Sequence, residues 1–185
     1  FIPVCEPMLA GNELKYVTEA VSTGWISSSG KYVTEFEKQF AEYCGCKYGI
    51  AVCNGTIALH LALIGLGIGK GDEVIVPTFT MIASAFAVCY TGAKPVFVDA
   101  DKDTWNIDVK KIEEKITSKT KAIMPVHIFG KMCDMDAIHA LAKKYNLYVL
   151  EDAAEAHGAS YHGVKAGASS DIAAFSFFAN KNITT

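Results

Sequence analysis

Hydrophobic positions along the chain change period several times, and each change marks an element. Over residues 12–22, Leu14, Val17 and Val21 share one helical face, with Asn12 placed to cap the start and Gly24 just past the end. Over residues 32–44, Val33, Phe36, Phe40 and Tyr43 repeat at helical spacing, and Gly45 stands where a helix stops. Residues 24–30 between them read as a loop. Short apolar runs that suit buried strands follow, at residues 49–53, 73–76, 95–98, 122–127 and 147–150. Helical stretches separate them, at residues 56–66, 82–90, 109–116 (Asp108 as N-cap) and 135–145, and a last strand is predicted at 172–177. Strand then helix, repeated, predicts an α/β fold: a mostly parallel sheet covered by helices on both faces. No internal repeat, low-complexity tract or linker interrupts it.

In such open sheets ligands bind beyond the carboxyl ends of the strands. Chemistry is therefore sought at Asn54-Gly55-Thr56, Pro77 to Met81, Asp99 to Asp101, His127, Glu151-Asp152 and Asn180-Lys181.

Composition narrows the partners. With 51% hydrophobic and 20% charged residues, the chain can bury one core on each side of a sheet. Seventeen basic against 20 acidic residues, net charge -3, with no run of like charge, give no footprint for nucleic acid or anionic lipid. No apolar segment reaches the roughly 18 residues of a membrane span, and FIPVCEPML lacks the build of a signal peptide. A cytoplasmic protein is expected. Cys5, Cys44, Cys46, Cys53, Cys89 and Cys133 form no C-x-x-C pair, so free, mostly buried thiols are expected rather than zinc or disulfides. The chain opens on Phe1 and closes without a tail-like sequence, and is expected to be part of a longer one.

Three candidate features remain. Gly55 and Thr56 stand between strand and helix, where free N–H groups make an anion seat, although the same residues suit an ordinary turn. Asp152 ends a strand and could accept a hydrogen bond from a protonated ring nitrogen of a cofactor, or simply cap a helix. Glu151, Asp152, Glu155 and His157 also allow a metal, but strand alternation sends Glu151 and Asp152 to opposite faces, and no metal is expected. Lys181 follows the apolar FSFFAN, where its amine suits a Schiff base or only opens a polar loop. Ser176 adds a hydroxyl for the anion. The glycines between 65 and 71 follow a helix and precede a strand, the inverse of a nucleotide loop. An anion seat, an acid for a ring nitrogen and a lysine for an aldehyde are the handles of pyridoxal 5'-phosphate.

The runs TGWISSSGKYVTEFEKQFAEY, NGTIALHLAL, GDEVIVPTFTMIASAFAV, GAKPVFVD, MPVHIFG, EDAAEAHGA and DIAAFSFFANKNITT cover nearly the whole chain. In type and order they resemble the DegT/StrS family of sugar aminotransferases, of the aspartate-aminotransferase-like fold type I, and most of all its perosamine-synthase-like branch. That branch aminates C4 of a GDP-linked 4-keto-6-deoxy sugar. The resemblance implies a transaminase that cycles between pyridoxal phosphate and pyridoxamine phosphate, with glutamate as the expected amino donor and a nucleotide sugar as acceptor. By it, Lys181 is the Schiff-base lysine and proton carrier, and Asp152 binds the pyridine nitrogen. Backbone at Gly55, Thr56 and Ile57, with Ser176 and Asn180, holds the phosphate. Glu155 sits near the phenolic oxygen and the sugar, and Trp25, Ile26 and Ser27 lie on the substrate loop. Met81 takes a position that is often aromatic in the family and packs on the ring, and Ala179 stands where glycine is common. The resemblance further implies that residues 1–185 are an incomplete large domain, with a small C-terminal domain outside them, and that the intact enzyme is a homodimer. A dehydratase of the same family carries histidine where this chain has Lys181. A non-catalytic, regulatory relative has no need of Thr56, Asp152, Ser176 and Lys181 together.

Overall fold

The computed structural model describes residues 1–3 and 6–184; Cys5 lies outside the described residues. Two helices come first, α1 (Glu13–Thr23) and α2 (Lys31–Cys44), each closed by a glycine in the left-handed region, Gly24 and Gly45. They are followed by α3 (Gly55–Gly65), β1 (Glu73–Pro77), α4 (Ile82–Tyr90), β2 (Lys94–Val98) and β3 (Thr120–Ile123). Next come α5 (Met135–Tyr145), β4 (Tyr148–Asp152), a small hairpin of β5 (Ser160–Tyr161) and β6 (Val164–Lys165), and β7 (Ile172–Ala174). Five strands form one sheet in the order β2-β1-β3-β4-β7, every pair parallel.

Strand alternation sorts the core into two layers. Val74, Val76, Ala122, Met124 and Leu150 face α3 and α4 and pack on Leu59, Leu63 and Val88. Ile75, Ile123 and Val149 face the other way, onto Met135, Ile138 and Ala142 of α5 and onto Ile107 and Ile112. Both faces of the sheet are therefore covered, as the near-continuous apolar runs require.

Chain order reverses direction beside β1: β2 lies on one side and β3 on the other. A crevice opens beyond the carboxyl ends of strands at such a point. This is what positions the site.

Several expected elements differ. Residues 49–53 form no strand, because the Ala51 N–H is taken by Glu37 Oε1 of α2 at 2.8 Å, and Ile50 stays exposed. Residues 109–116 form two short 3-10 turns instead of an α-helix, Val109–Lys111 and Glu113–Lys115. Val109 and Ile112, three residues apart, match that tighter pitch and pack on the core while the lysines and glutamates between face water. Asp108 does cap the first turn, accepting from the Lys110 N–H. The expected strand 122–127 ends at Ile123, since Pro125 has no N–H for the ladder. β7 stops at Ala174, level with Asp152 of its one neighbour. Asn12 makes no cap bond; Glu13 instead accepts from the Gly11 N–H.

Among the described residues the predicted face of α1 has no partner: Leu14, Val17 and Val21 are all exposed, and α1 is held to α2 by Glu19, which bonds Lys31 and the Tyr32 hydroxyl. Of the described cysteines, Cys44 and Cys133 are buried but Cys53 and Cys89 are exposed, so burial of the thiols is only partial. Among the described residues no helix is long and apolar enough to cross a membrane.

Candidate active site

Four strand ends feed one cleft. The stretch after β1 gives Thr80 and Met81, the one after β3 gives Val126 to Ile128, the end of β4 gives Asp152, and the chain beyond gives Glu155 and Lys181. Met81, Asp152, Glu155 and Lys181 were all candidates on sequence grounds, and the fold brings them together from positions up to 100 residues apart.

Asp152 is buried at the floor. Its Oδ2 accepts from the Ser84 hydroxyl at 2.7 Å, and its Oδ1 accepts from the Ala154 N–H at 3.3 Å. Burial pushes its carboxyl up from the ordinary range, against the opposing pull of Ser84, Ala154 and the charge of Lys181. A buried acid whose remaining polar capacity faces a cleft is suited to a cationic ring N–H, which would compensate that burial.

Glu151 points to the opposite side of the strand. Its Oε2 accepts from His127 Nε2 and from the Gly167 N–H, both at 2.9 Å. The Cys133 N–H donates to His127 Nδ1 at 3.2 Å, so the hydrogen bonds assign the His127 proton to Nε2. Burial raises the Glu151 carboxyl, but the His127 ring and the Gly167 N–H outweigh it and hold the acid below its usual range. This pair fixes the chain beneath the cleft. The backbone N–H of His127 donates to the Asp152 carbonyl, and the backbone N–H of Asp152 donates to the Pro125 carbonyl.

Lys181 reaches the cleft through two aromatic anchors. Phe175 and Phe177, two residues apart, both meet Phe40 of α2 edge-on, at 4.9 and 5.0 Å, and His157 closes on Phe177 at 4.9 Å. Ser176 between them turns the other way, onto α3. The segment then bends, the Lys181 N–H bonding to the Phe178 carbonyl, and brings Nζ to 3.1 Å from Glu155 Oε1. The second oxygen of Glu155 accepts from the Phe129 N–H at 2.9 Å. That donor sits in a left-handed turn, Phe129 at φ 51° and Gly130 at φ 81°, and a side chain on Gly130 would press on the Glu155 carbonyl at 3.1 Å.

The anion seat is a separate contact. Asn54 caps α3 by accepting from the Ile57 N–H at 3.0 Å, so Ile57, expected as a phosphate donor, is already engaged. Among the described residues the Gly55 and Thr56 N–H groups keep no partner. Ser176 stands against Gly55 so closely that a Cβ there would lie 2.9 Å from the Ser176 Cβ. The glycine is needed for close approach, and the approach places a hydroxyl at the helix start. Gly55→Ala is expected to weaken retention of a phosphate-bearing cofactor about tenfold, by displacing Ser176. Equilibrium dialysis of the full-length protein checks this; unchanged retention removes Ser176 from the seat.

Other expected residues lie apart. Asn180 is exposed. Trp25 and Ser27 line a groove with Glu19 and Lys31 between α1 and α2, and Ile26 is exposed; none of them lines the cleft. Ser84 and Glu37 are organising residues that the sequence alone did not single out, whereas Thr80 falls within the stretch 77–81 where chemistry is sought. Among the described residues no cluster of three metal-binding side chains is present.

Comparison with known proteins gives the family and supports the fold. Residues 7–185 match the model of the DegT/DnrJ/EryC1/StrS aminotransferase family. The chain is 59% identical to a GDP-perosamine synthase of Caulobacter vibrioides over 184 residues, covering 100% of this chain and 50% of that protein. It superposes with a TM-score of 0.94 on an aminotransferase from Psychrobacter cryohalolentis, at 45% identity, covering 100% of this chain and 46% of that one. A structure of NtdA from Bacillus subtilis with bound cofactor PMP gives 0.86 at 40% identity, covering 92% and 38%. The chain thus spans about half the length of the curated relatives it matches.

Proposed function

Since the chain belongs to the DegT/DnrJ/EryC1/StrS aminotransferase family, we propose that residues 1–185 form most of the large, cofactor-binding domain of a nucleotide-sugar aminotransferase using pyridoxal 5'-phosphate. The amino group moves from glutamate to a GDP-4-keto-6-deoxyhexose, for the deoxyamino sugars of a lipopolysaccharide O-antigen, in the cytoplasm. The small domain lies outside these residues. The observation that carries the reading is the convergence of Asp152 and Lys181 on one cleft, with Glu155 between the lysine and the left-handed turn.

Bound pyridoxal phosphate supplies an aldehyde for an amine and a ring that takes up the electron pair released at the substrate carbon. Asp152 holds a proton at the ring nitrogen, and its buried setting makes that contact worth more than it would be in water. Gly55 and Thr56 N–H groups and the Ser176 hydroxyl bind the phosphate. Met81, exposed at the cleft edge, would offer its thioether to the ring. Glu155 Oε1 orients the Lys181 amine, which would take up and return the proton at the substrate carbon. Asn180 supports the phosphate end, and Trp25, Ile26 and Ser27 meet the sugar nucleotide once the rest of the protein is in place. One site serves donor and acceptor in turn, so ping-pong kinetics are expected.

A homodimer is proposed for the intact protein, supported by exposed apolar side chains: Met81 at the cleft, and Phe79, Trp105 and Phe129, where Phe79 meets both other rings. The test of function uses the full-length protein with glutamate and a panel of keto-sugar nucleotides, following 2-oxoglutarate release. Release with the GDP-4-keto sugar is expected. Release only with a 3-keto or a UDP-linked sugar overturns the acceptor assignment while leaving the transaminase.

A further inference from the structure

Two hydroxyls beside Asp152 have no part in the chemistry above. Ser84, in the first turn of α4, is fully buried, and its Oγ stands 2.7 Å from Asp152 Oδ2 and 2.7 Å from Thr80 Oγ1. Thr80 is half-buried and lines the cleft; Ser84 does not. A hydroxyl has one proton to give. While Asp152 is ionised it can only accept, so Ser84 spends its proton there, and the contact with Thr80 is made by the Thr80 proton. The pair is therefore ordered in one direction, from Thr80 to Ser84 to the acid.

We propose that Ser84, set by Thr80, is a positioning residue for Asp152: it pins Oδ2 to α4 and leaves Oδ1, which takes only the long Ala154 bond, as the oxygen offered to the ring nitrogen of the cofactor. This rests on reading the cleft as the pyridoxal phosphate site. A bond from a neutral donor to a carboxylate is roughly twice as strong as one between neutral groups, and burial strengthens it further. Without it the carboxylate is a little more basic but free to rotate away from the ring nitrogen, and the loss of aim outweighs the gain in basicity, so the ring proton is held less firmly.

The readout is the pH midpoint of the visible absorbance of the full-length, cofactor-loaded protein. A ring that keeps its proton less well draws less density from the nitrogen of the lysine–cofactor linkage, which becomes more basic. Ser84→Ala should move the midpoint up by roughly half a pH unit or more. Thr80→Val should move it the same way by less, and the double variant no further than Ser84→Ala alone, because Thr80 acts through Ser84. A purely structural serine would alter melting temperature and leave the midpoint in place. An unchanged midpoint in Ser84→Ala with cofactor still bound overturns the inference and leaves the transaminase reading intact. No visible band in the unsubstituted protein overturns that reading itself. If Ser84→Ala does not fold, Ser84→Cys keeps the volume with a weaker donor and should shift the midpoint upward; no shift there, or in Thr80→Val, overturns the ordering.

Discussion

Lys181→Ala in the full-length protein is expected to abolish the visible absorbance that develops with pyridoxal phosphate and to lower turnover on the order of 10⁴-fold or more. The size of the effect follows from the lining of the cleft, in which Lys181 is the one amine among the described residues. Nothing nearby can take over either its nucleophile or its proton. Lys181→Arg separates the two properties of the side chain. It keeps the charge pair with Glu155, which stands 3.1 Å from the amine, and loses the nucleophile. It should be as inactive as the alanine variant, with a melting temperature nearer the unsubstituted protein. Absorbance retained in Lys181→Ala ends the Schiff-base assignment, and retained turnover in Lys181→Arg reduces the lysine to a charge.

Asp152→Asn is expected to cost roughly 10²- to 10³-fold in turnover, as removal of a fixed electrostatic partner does, and at the same time to stabilise the cofactor-free protein by about 1 kcal/mol near neutral pH. The two effects have one origin. Burial raises the Asp152 carboxyl above its ordinary range, so the folded chain binds that proton more tightly than the unfolded chain. Stability contributed at this position is greatest below the ordinary range and falls as pH rises through the raised value. The amide has no such slope, and its advantage should fade on acidification. Glu151, next in the chain, runs opposite: held low by His127 and Gly167, it contributes above the ordinary range and loses that contribution as pH falls through its lowered value. Thermal unfolding of the cofactor-free, full-length protein across pH separates them. A variant less stable than the parent at neutral pH would mean that the buried acid is already compensated.

Local pattern carried most of the fold. The bounds of α4 and α5 agree with apolar spacing because each packs one face on a sheet, and period-two alternation in β1, β3 and β4 divides the two core layers. Residues 49–53 failed because a β-prone run becomes a strand only beside a partner, and Glu37 takes a backbone donor first. The candidate site was legible where chemistry sits at or soon after a strand end, as at Met81, Asp152 and Lys181, and by family resemblance for Glu155. Ser84 left no local mark: it is a small residue in an apolar helix, and its partner lies 68 positions away. Nor did spacing show that Ile57 would be occupied by its own cap, or that Phe129 would adopt a left-handed backbone to hold Glu155.

β7 borders the sheet, three residues long and, among the described residues, joined to β4 on one flank only. From this short tether hang both the hydroxyl of Ser176 and the amine of Lys181. Any chain that docks along its open flank would steady grip and nucleophile together, whereas loosening that one seam would slacken both, however intact the acid on β4 remained.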